Sequence, residues 1–314
     1  MQSTKIEEAS ELIRRESINL GFDAVGFARA QRLDEHAPYL QEWLAAGNHA
    51  DMTWMEGHFE KRIDPRLLVE GTKSVVVVLF SYKPRDVQPA DAPQLAKYAY
   101  GTDYHIVMKE KLWQLLAKLQ QEFPEADGRP FVDSAPVMDR VWAQRAGLGW
   151  IGKNSLLLNR QLGSFVLIGT LLLNVELVYA DAAVPPSCGE CNRCINACPT
   201  KAIVAPMVVD ARRCISYHTI ENRGDIPEKV QILMGNRAFG CDTCQDVCPW
   251  NLRVKPHGHQ ELMPREAILS FSNSDWSSLS PESFASIFRQ SAVKRAKYGG
   301  LMRNLSIALR NGGD

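Results

Sequence analysis

The chain has 314 residues, of which 45% are hydrophobic and 23% are charged, which excludes a disordered or fibrous protein. The 36 basic and 36 acidic side chains balance, so any contact with nucleic acid must use a local basic patch and not an overall positive field. No apolar run reaches the roughly 18 residues that a membrane span needs, and we see no export signal. We therefore expect a cytoplasmic protein.

Residues 1–180 alternate between helical and strand patterns. Apolar residues at helical spacing predict helices at residues 6–20, 40–47 and 107–123. Short apolar runs predict strands at residues 22–28, 75–80, 131–133 and 165–173. Pro136 suits the first turn of a further helix. Together these elements predict an α/β domain in which helices cover a sheet.

Composition divides the rest of the chain. A small, proline-rich stretch at 180–186 predicts a linker, a cysteine-containing segment follows, and helical spacing returns from about Pro256. We expect three parts, at residues 1–180, 181–255 and 256–314.

The eight cysteines all lie between Cys188 and Cys248, and the first 187 residues contain none. A reducing cytosol disfavours disulfides, and a disulfide framework for the whole fold would not be confined to one segment. The segment is therefore predicted to bind a cofactor.

The spacing of these cysteines is that of two cubane clusters. The run C-x2-C-x2-C-x3-C-P, starting at Cys188, is the bacterial ferredoxin pattern for [4Fe–4S] clusters, and a second run lacks only its first cysteine, which Cys214 supplies. In ferredoxins the fourth cysteine of a run binds the other cluster. We therefore assign Cys188, Cys191, Cys194 and Cys248 to one cluster, and Cys198, Cys214, Cys241 and Cys244 to the other. The alternative, two structural zinc sites, fits three cysteines within seven residues poorly.

Two clusters form an electron-transfer chain, so we expect the large N-terminal domain to hold the redox chemistry. No G-x-G-x-x-G opens a helix, which argues against a nicotinamide site. Asp103 and His105 are similar to the start of a cobalamin-ligating D-x-H-x-x-G motif, but Met108 stands where glycine should be. A cap or a packed ring is the more common role for a histidine near a helix start.

Five segments together resemble one family, the epoxyqueuosine reductases of queuosine biosynthesis. They are residues 97–105, 131–137, 147–155, 214–221 and 240–251. The resemblance implies a base-off cobalamin, two [4Fe–4S] clusters, and a tRNA that carries epoxyqueuosine at the wobble position of its anticodon loop. It also implies an α/β (α+β) cobalamin-binding domain akin to reductive dehalogenase and nitroreductase folds. A ferredoxin-like domain with two clusters and a short, basic helical region that contacts tRNA would follow. Longer members of the family continue into a helical-repeat extension.

The resemblance assigns roles to single residues. Conversion of the epoxide to an alkene takes two electrons and two protons, and Asp133 is implied as the proton donor. Cobalamin contacts are implied for Lys97, Asp133, Lys153, Asn154, Ser155, Ser216 and Asp242. Structural alternatives remain open: a turn carboxylate for Asp133, a glycine-rich turn for 149–155, and loop caps for Ser216 and Asp242.

The last part of the sequence is locally basic. Between Ser283 and Gly313 no acid occurs among six basic residues, which are Arg289, Lys294, Arg295, Lys297, Arg303 and Arg310. We predict phosphate contacts for Lys294, Arg295 and Lys297, the alternative being a solvated helical face. We also expect an external electron donor and a monomer.

Two other functional classes are the alternatives to this interpretation. A cytosolic corrinoid reductive dehalogenase would share the domain plan, but such enzymes are usually exported and associated with membranes. A non-enzymatic electron carrier would not need 187 residues before its first cysteine.

Overall fold

The computed structural model describes residues 2–180 and 184–312, so the predicted boundary after residue 180 and part of the predicted linker lie outside the described residues. Its strands are β1 (Ala24–Arg29), β2 (Ser74–Ser81), β3 (Gln94–Leu95), β4 (Gly128–Phe131), β5 (Trp150–Ile151), β6 (Leu157–Leu158), β7 (Val166–Leu173), β8 (Ile203–Ala205), β9 (Val208–Val209) and β10 (Arg237–Phe239). Its helices are α1 (Gln2–Asn19), α2 (Ala37–Ala45), α3 (Phe59–Ile63), α4 (Tyr104–Glu122), α5 (Asp139–Arg145), α6 (Arg193–Ala197), α7 (Ile215–Ile220), α8 (Glu228–Leu233), α9 (Thr243–Asp246), α10 (Pro249–Leu252), α11 (Glu266–Ser270), α12 (Asn273–Ser277), α13 (Pro281–Ile287) and α14 (Lys297–Asn311). None of the described helices combines the length and the apolar character needed to cross a membrane.

An antiparallel sheet in the order β1-β2-β7-β4 forms the centre of the N-terminal part. Every residue of β2 is buried, and Val77 pairs with Gly26 of β1 and with Thr170 of β7. On the far side of β7, Phe131 at the end of β4 also pairs with Thr170. This register determines where the chain leaves the sheet, two residues before Asp133.

Both faces of the sheet are covered, as the β-branched run of β2 predicts. Val76 and Val78 belong to a core that includes Leu112 of α4, whereas Val77 belongs to a second core that includes Trp142 of α5. The prediction of a sheet between helical layers is confirmed.

The C-terminal helices close a third core against earlier parts of the chain. Trp276 and Leu301 pack in one cluster with Tyr100 and Phe239, and β3 pairs with β10 in parallel. Asn304, fully buried on α14, joins this region to the cysteine segment through hydrogen bonds from Nδ2 to backbone carbonyl groups at residues 219 and 238. The helical C-terminal region is present as expected, and it shares a core with the other two parts.

The helix expected at Pro136 begins instead at Asp139. Asp133 has a left-handed backbone, with φ of 46°, and the Val137 N–H donates to the Ala135 carbonyl at 2.7 Å. Residues 132–136 form a series of bends, and no helix forms before Asp139. The prediction was wrong because it treated Asp133 as the extended end of a strand.

Candidate functional site

Asp133 lies just beyond β4 in a strained conformation. A left-handed backbone costs about 1–2 kcal/mol in a residue with a Cβ atom, and such strain concentrates at functional sites. The side chain is exposed, and the Tyr104 hydroxyl donates a hydrogen bond to its Oδ2 at 2.8 Å. One carboxylate oxygen is therefore held by the protein, while the group as a whole stays accessible to a ligand.

Two tyrosines stand beside this carboxylate. The rings of Tyr98 and Tyr104 meet edge to face, with their centroids 5.8 Å apart. Burial raises the pKa of both phenols, and the negative charge of Asp133 raises it further. Both hydroxyl groups therefore stay protonated at neutral pH, and Tyr104 remains a hydrogen-bond donor to Asp133.

A second carboxyl lies within electrostatic range of Asp133. Asp139, the first residue of α5, accepts a hydrogen bond at Oδ1 from the Thr170 hydroxyl at 3.3 Å. Burial, followed by the negative charge of Asp133, raises the pKa of Asp139 to about 8. Asp139 is therefore a neutral acid at pH 7.

Lys97 connects this site to the cysteine segment. Its Nζ lies 2.6 Å from Asp246 Oδ1 and 3.4 Å from Asp242 Oδ2, and its backbone N–H donates to the same Asp242 oxygen at 2.8 Å. Although burial acts to lower it, the two carboxylates raise the pKa of Lys97. Asp242 is only 9% exposed and also accepts a hydrogen bond from Gln245 Nε2, so Lys97 and Asp242 both have structural roles at this interface.

The glycine-rich stretch is a hairpin in which β5 pairs with β6. A Cβ atom on Gly149 would lie 2.1 Å from the Leu158 carbonyl oxygen, and one on Gly152 would lie 2.5 Å from Leu158 Cδ1. The hairpin itself therefore requires both glycines.

The turn of this hairpin holds three of the predicted cobalamin contacts. Lys153 Nζ donates to Asn192 Oδ1 at 2.9 Å, and buried Asn154 accepts from the Leu156 N–H at 3.3 Å. Ser155 has φ of 64°, and its buried hydroxyl forms no hydrogen bond with the part of the chain that the structure describes. Because buried polar groups rarely lack partners, this hydroxyl fits a bound polar ligand at the turn.

The thiols of the first predicted cluster are neighbours. After burial, the largest cause, Cys188 and Cys248 raise the pKa of Cys194. Cys188 and Cys191 act in the same way on Cys248, although Cys248 belongs to the other sequence run. These electrostatic effects indicate that four thiols lie close together, those of Cys188, Cys191, Cys194 and Cys248.

The thiols of the second predicted cluster form a separate group. After burial, Cys241 and Cys198 raise the pKa of Cys214, and Cys241 and Cys214 raise that of Cys244. Cys194 also acts on Cys244, because α6 and α9, which carry these two thiols, pack against each other. The two groups are therefore adjacent. Within residues 2–180 and 184–312, no three His, Cys, Asp or Glu side chains are placed to hold a single metal ion.

Two of the cysteines precede helices in the same geometry. Cys214 before α7 and Cys248 before α10 have φ and ψ of −74° and 126°, and of −74° and 123°. The backbone N–H groups of Ser216 and Trp250 bond to the respective thiols, which lowers their pKa against the effect of burial. Ser216, a predicted cobalamin contact, thus bonds through its backbone to a predicted cluster ligand.

The basic stretch is less uniform than its sequence indicates. Lys294, Arg295 and Lys297 are exposed, but Arg295 forms a bidentate ion pair with Glu221 at 2.7 and 2.9 Å. Arg303 is half-buried, and it donates to backbone carbonyls, including that of residue 218 at 2.8 Å. Including Arg303 in an exposed patch was therefore wrong, since this guanidinium bonds to the chain itself.

Several site residues were not singled out from the sequence. Tyr98 and Tyr104 lie within the segment 97–105, whose resemblance was noted without a role for either phenol. Asp139 lies six residues after Asp133, a spacing that could have drawn attention to it. Asp103 caps α4 and bonds to His105 Nδ1 at 2.7 Å, so the cap interpretation of this pair is the one that the structure supports.

Two family models match the chain. The model described as "4Fe-4S double cluster binding domain" matches residues 187–251, which include all eight cysteines. The model described as "Epoxyqueuosine reductase QueG, DUF1730" matches residues 62–134, a range that ends just after Asp133.

Curated relatives match over most of their length. The epoxyqueuosine reductase of Cellulophaga algicola is 48% identical, over 95% of this chain and 97% of the relative. That of Escherichia coli is 40% identical, over 98% of this chain and 82% of the relative.

Solved structures agree with these relatives. A crystal structure of epoxyqueuosine reductase with an epoxyqueuosine-modified tRNA-Tyr stem loop is 31% identical, with a TM-score of 0.87 over 97% of this chain and 81% of that one. A Bacillus subtilis structure with a catalytic aspartate loop swung out of the active site is 30% identical, with a TM-score of 0.86 over the same shares. By sequence and by fold, the chain belongs to the epoxyqueuosine reductase family.

Proposed function

We propose that this protein reduces epoxyqueuosine to queuosine at the wobble position of tRNA. The position of Asp133 carries the proposal: Tyr104 holds one of its oxygens, and Tyr98, the residue after Lys97, lies within electrostatic range of it. The negative charges of Asp133 and Asp242 both raise the pKa of Tyr98, so the ring is within range of both. The proposed proton donor is thus connected through Tyr98 and Lys97 to Asp242, which lies beside the thiols. The relatives named epoxyqueuosine reductases, and the structure with a modified tRNA stem loop, support this substrate.

The reaction requires a balanced supply of electrons and protons. Removing the epoxide oxygen as water and leaving an alkene consumes two electrons and two protons. Cubane clusters transfer electrons one at a time. Cobalamin is the cofactor that the family resemblance implies, and it would supply the two-electron chemistry at the substrate carbon. We propose Lys97, Lys153, Asn154, Ser155, Ser216 and Asp242 as its contacts, with the unpartnered Ser155 hydroxyl as the structural support.

Asp133 is proposed to give a proton to the departing oxygen. Tyr104, bonded to Oδ2, orients the carboxyl so that its other oxygen can face the substrate. Asp139 holds a proton at pH 7, and only residues 134–138 separate it from Asp133. The proposed general acid would thus follow β4, whose register in the sheet is set by the pairing of Phe131 with Thr170.

The two groups of thiols are proposed to hold one [4Fe–4S] cluster each. The first group includes Cys191, which is exposed, whereas the second lies next to Asp242 and Lys97. An external electron donor would therefore reach the first cluster from solvent. That the protein acts as a monomer in the cytoplasm stays a prediction from its sequence.

The crossed assignment predicts how iron loss combines in double variants. Anaerobic protein should contain about eight irons and eight sulfides, and Cys248→Ala should lose about four of each. Adding Cys188→Ala should remove no further iron, because both belong to one cluster, whereas adding Cys241→Ala should remove the rest. Iron and acid-labile sulfide analysis measures this. Zinc without sulfide, or the reverse pattern in the double variants, would contradict the assignment.

Asp133→Asn should slow single-turnover reduction by about 10²- to 10⁴-fold, because it removes the general acid. Tyr104→Phe, which removes only the orienting hydrogen bond, should slow it by about fivefold. Both variants should keep their iron and sulfide and bind the modified stem loop normally. Asp86→Asn, at an exposed loop position, is the matched control. A near-normal rate for Asp133→Asn would exclude Asp133 from the mechanism.

Asp139 should make the folded protein less stable as pH rises. Its pKa is about 8 when folded and about 4 when unfolded, so between these values only the folded chain holds the proton. The free energy of unfolding should fall as pH rises through this range and level off above about pH 8. Asp139→Asn removes this titration, so its apparent melting temperature relative to wild type should be higher at about pH 8.5 than at about pH 5.5. An equal difference at both pH values, as expected for the control Asp86→Asn, would contradict the prediction.

Lys294 and Lys297 are proposed to contact RNA phosphates, since both are exposed and, unlike Arg295, neither forms an ion pair with a carboxylate among the described residues. Replacing both by Gln should weaken stem-loop binding and reduce the slope of log affinity against log salt by about 1.4, at about 0.7 per contact. Lys109→Gln with Lys118→Gln, on the exposed side of α4, is the matched control. Turnover at saturating RNA should be unchanged. An unaltered salt slope would show that these lysines are only solvated.

A further inference from the structure

Trp54 exposes a large aromatic surface near the site. It lies on the short 3-10 turn Thr53–Met55, and 48% of it is exposed, whereas Trp142, Trp150 and Trp276 are fully buried. Exposure alone does not mark a site, since single exposed apolar side chains are common, and Trp54 is distinguished by the groups that surround it.

A buried cation stabilises the turn that carries Trp54 through a hydrogen bond to its backbone. Arg62, only 9% exposed, donates from Nη2 to the Trp54 carbonyl at 3.0 Å. Arg62 also lies within electrostatic range of Asp139, which links the turn to the acidic pair of the site. A hydrogen bond from a buried charged donor is among the stronger ones in proteins, so the Trp54 backbone is firmly positioned.

A second cation lies over the indole ring. The Arg295 guanidinium is 5.4 Å from the ring centroid, in cation–π geometry. Glu221, directly after α7, holds this guanidinium through both of its carboxylate oxygens. Trp54 and Arg295 therefore form a stack that Glu221 holds in place, and the three residues come from separate parts of the chain.

The cation of this stack also interacts electrostatically with Asp133. The hydrogen bonds to Glu221 are the main cause that raises the pKa of Arg295, and the negative charge of Asp133 adds to it. Arg295 is thus within electrostatic range of the proposed proton donor, and the exposed Lys294 and Lys297 flank it in sequence.

We propose that Trp54, backed by Arg295, is the platform on which a nucleobase of the RNA loop stacks next to the base that is reduced. The proposal rests on the proposed function. A base inserted into the site must leave its stack, and its neighbours in a single-stranded loop then need new partners. An aromatic ring with a guanidinium beside it is the surface that proteins use for such bases, at about 1–3 kcal/mol per base.

The chemistry around Trp54 favours RNA over a protein partner. The exposed groups of this surface are one aromatic ring and the cations of residues 294, 295 and 297, which match flat bases and phosphates. Arg295 keeps its orientation through Glu221, so its guanidinium plane is prepared before any ligand binds. Such preorganisation lowers the entropy cost of binding.

The test compares Trp54→Ala with Trp113→Ala, because Trp113 on α4 is 47% exposed and is not part of the stack. Loss of a stacked base should raise the Kd of the modified stem loop by about 5- to 150-fold for Trp54→Ala. Trp54→Phe should restore most of the affinity, and Trp113→Ala should leave it unchanged. Iron content should be normal in all three variants, and Trp113→Ala should also keep the normal single-turnover rate at saturating RNA.

A second arm identifies the base. Each nucleotide beside the modified base is made abasic in turn. One of these RNAs should bind the wild-type protein more weakly than the intact stem loop does, and its affinity should not fall further when Trp54 is replaced by alanine. If the affinity losses of Trp54→Ala and of every abasic RNA were additive, no base would depend on Trp54, and the proposal would be overturned. Normal stem-loop affinity for Trp54→Ala would overturn it as well. If wild type fails to bind or reduce the stem loop, the proposed function fails instead, so the two failures are distinguishable.

Discussion

The buried ion pair between Lys97 and Asp242 determines how the two functional halves of the molecule meet. Asp242 lies between Cys241 and Cys244, and it receives both the backbone N–H and the ammonium of Lys97. The residue after Lys97 is Tyr98, which stands beside Asp133. Removing Lys97 would leave the nearly buried Asp242 without its cation, whereas removing Asp242 would leave Lys97 paired with the half-exposed Asp246. These contacts therefore help to hold the thiol-bearing segment against the segment that carries Tyr98.

The acidic site is built where several rigid elements end. Tyr104 begins α4, Asp139 begins α5, and Asp133 follows β4, so no site residue lies in the middle of a long element. The sheet register nevertheless positions them, because Thr170 pairs with Phe131 through the backbone and reaches Asp139 through its hydroxyl. Functional groups on short segments held by a rigid scaffold are common in enzymes. The left-handed Asp133 is the cost of this arrangement, and the sheet and its two cores stabilise it.

Patterns local in sequence were predictable, and contacts between distant segments were not. The spacing of the cysteines and the apolar run of β2 gave the cluster segment and the covered sheet, since both depend on neighbouring residues. The start of α5 was misplaced, because nothing in the sequence shows that Asp133 adopts a left-handed backbone. Arg295 looked free because its partner, Glu221, lies far away in the chain, and Arg303 looked exposed for the same reason. The sequence alone could not show that Asp139 lies within electrostatic range of Asp133.

The parallel pairing of β3 with β10 has a consequence for how the protein is made. The central sheet uses strands from the first part of the chain and can form early in synthesis. Tyr100, only 1% exposed in the finished fold, cannot be covered until Phe239 and then Leu301 have left the ribosome. Contacts between such distant segments form late and slowly. The core beside Tyr98 is thus the last to close, so the chain must be nearly complete before its electron-transfer half and its acidic half are joined.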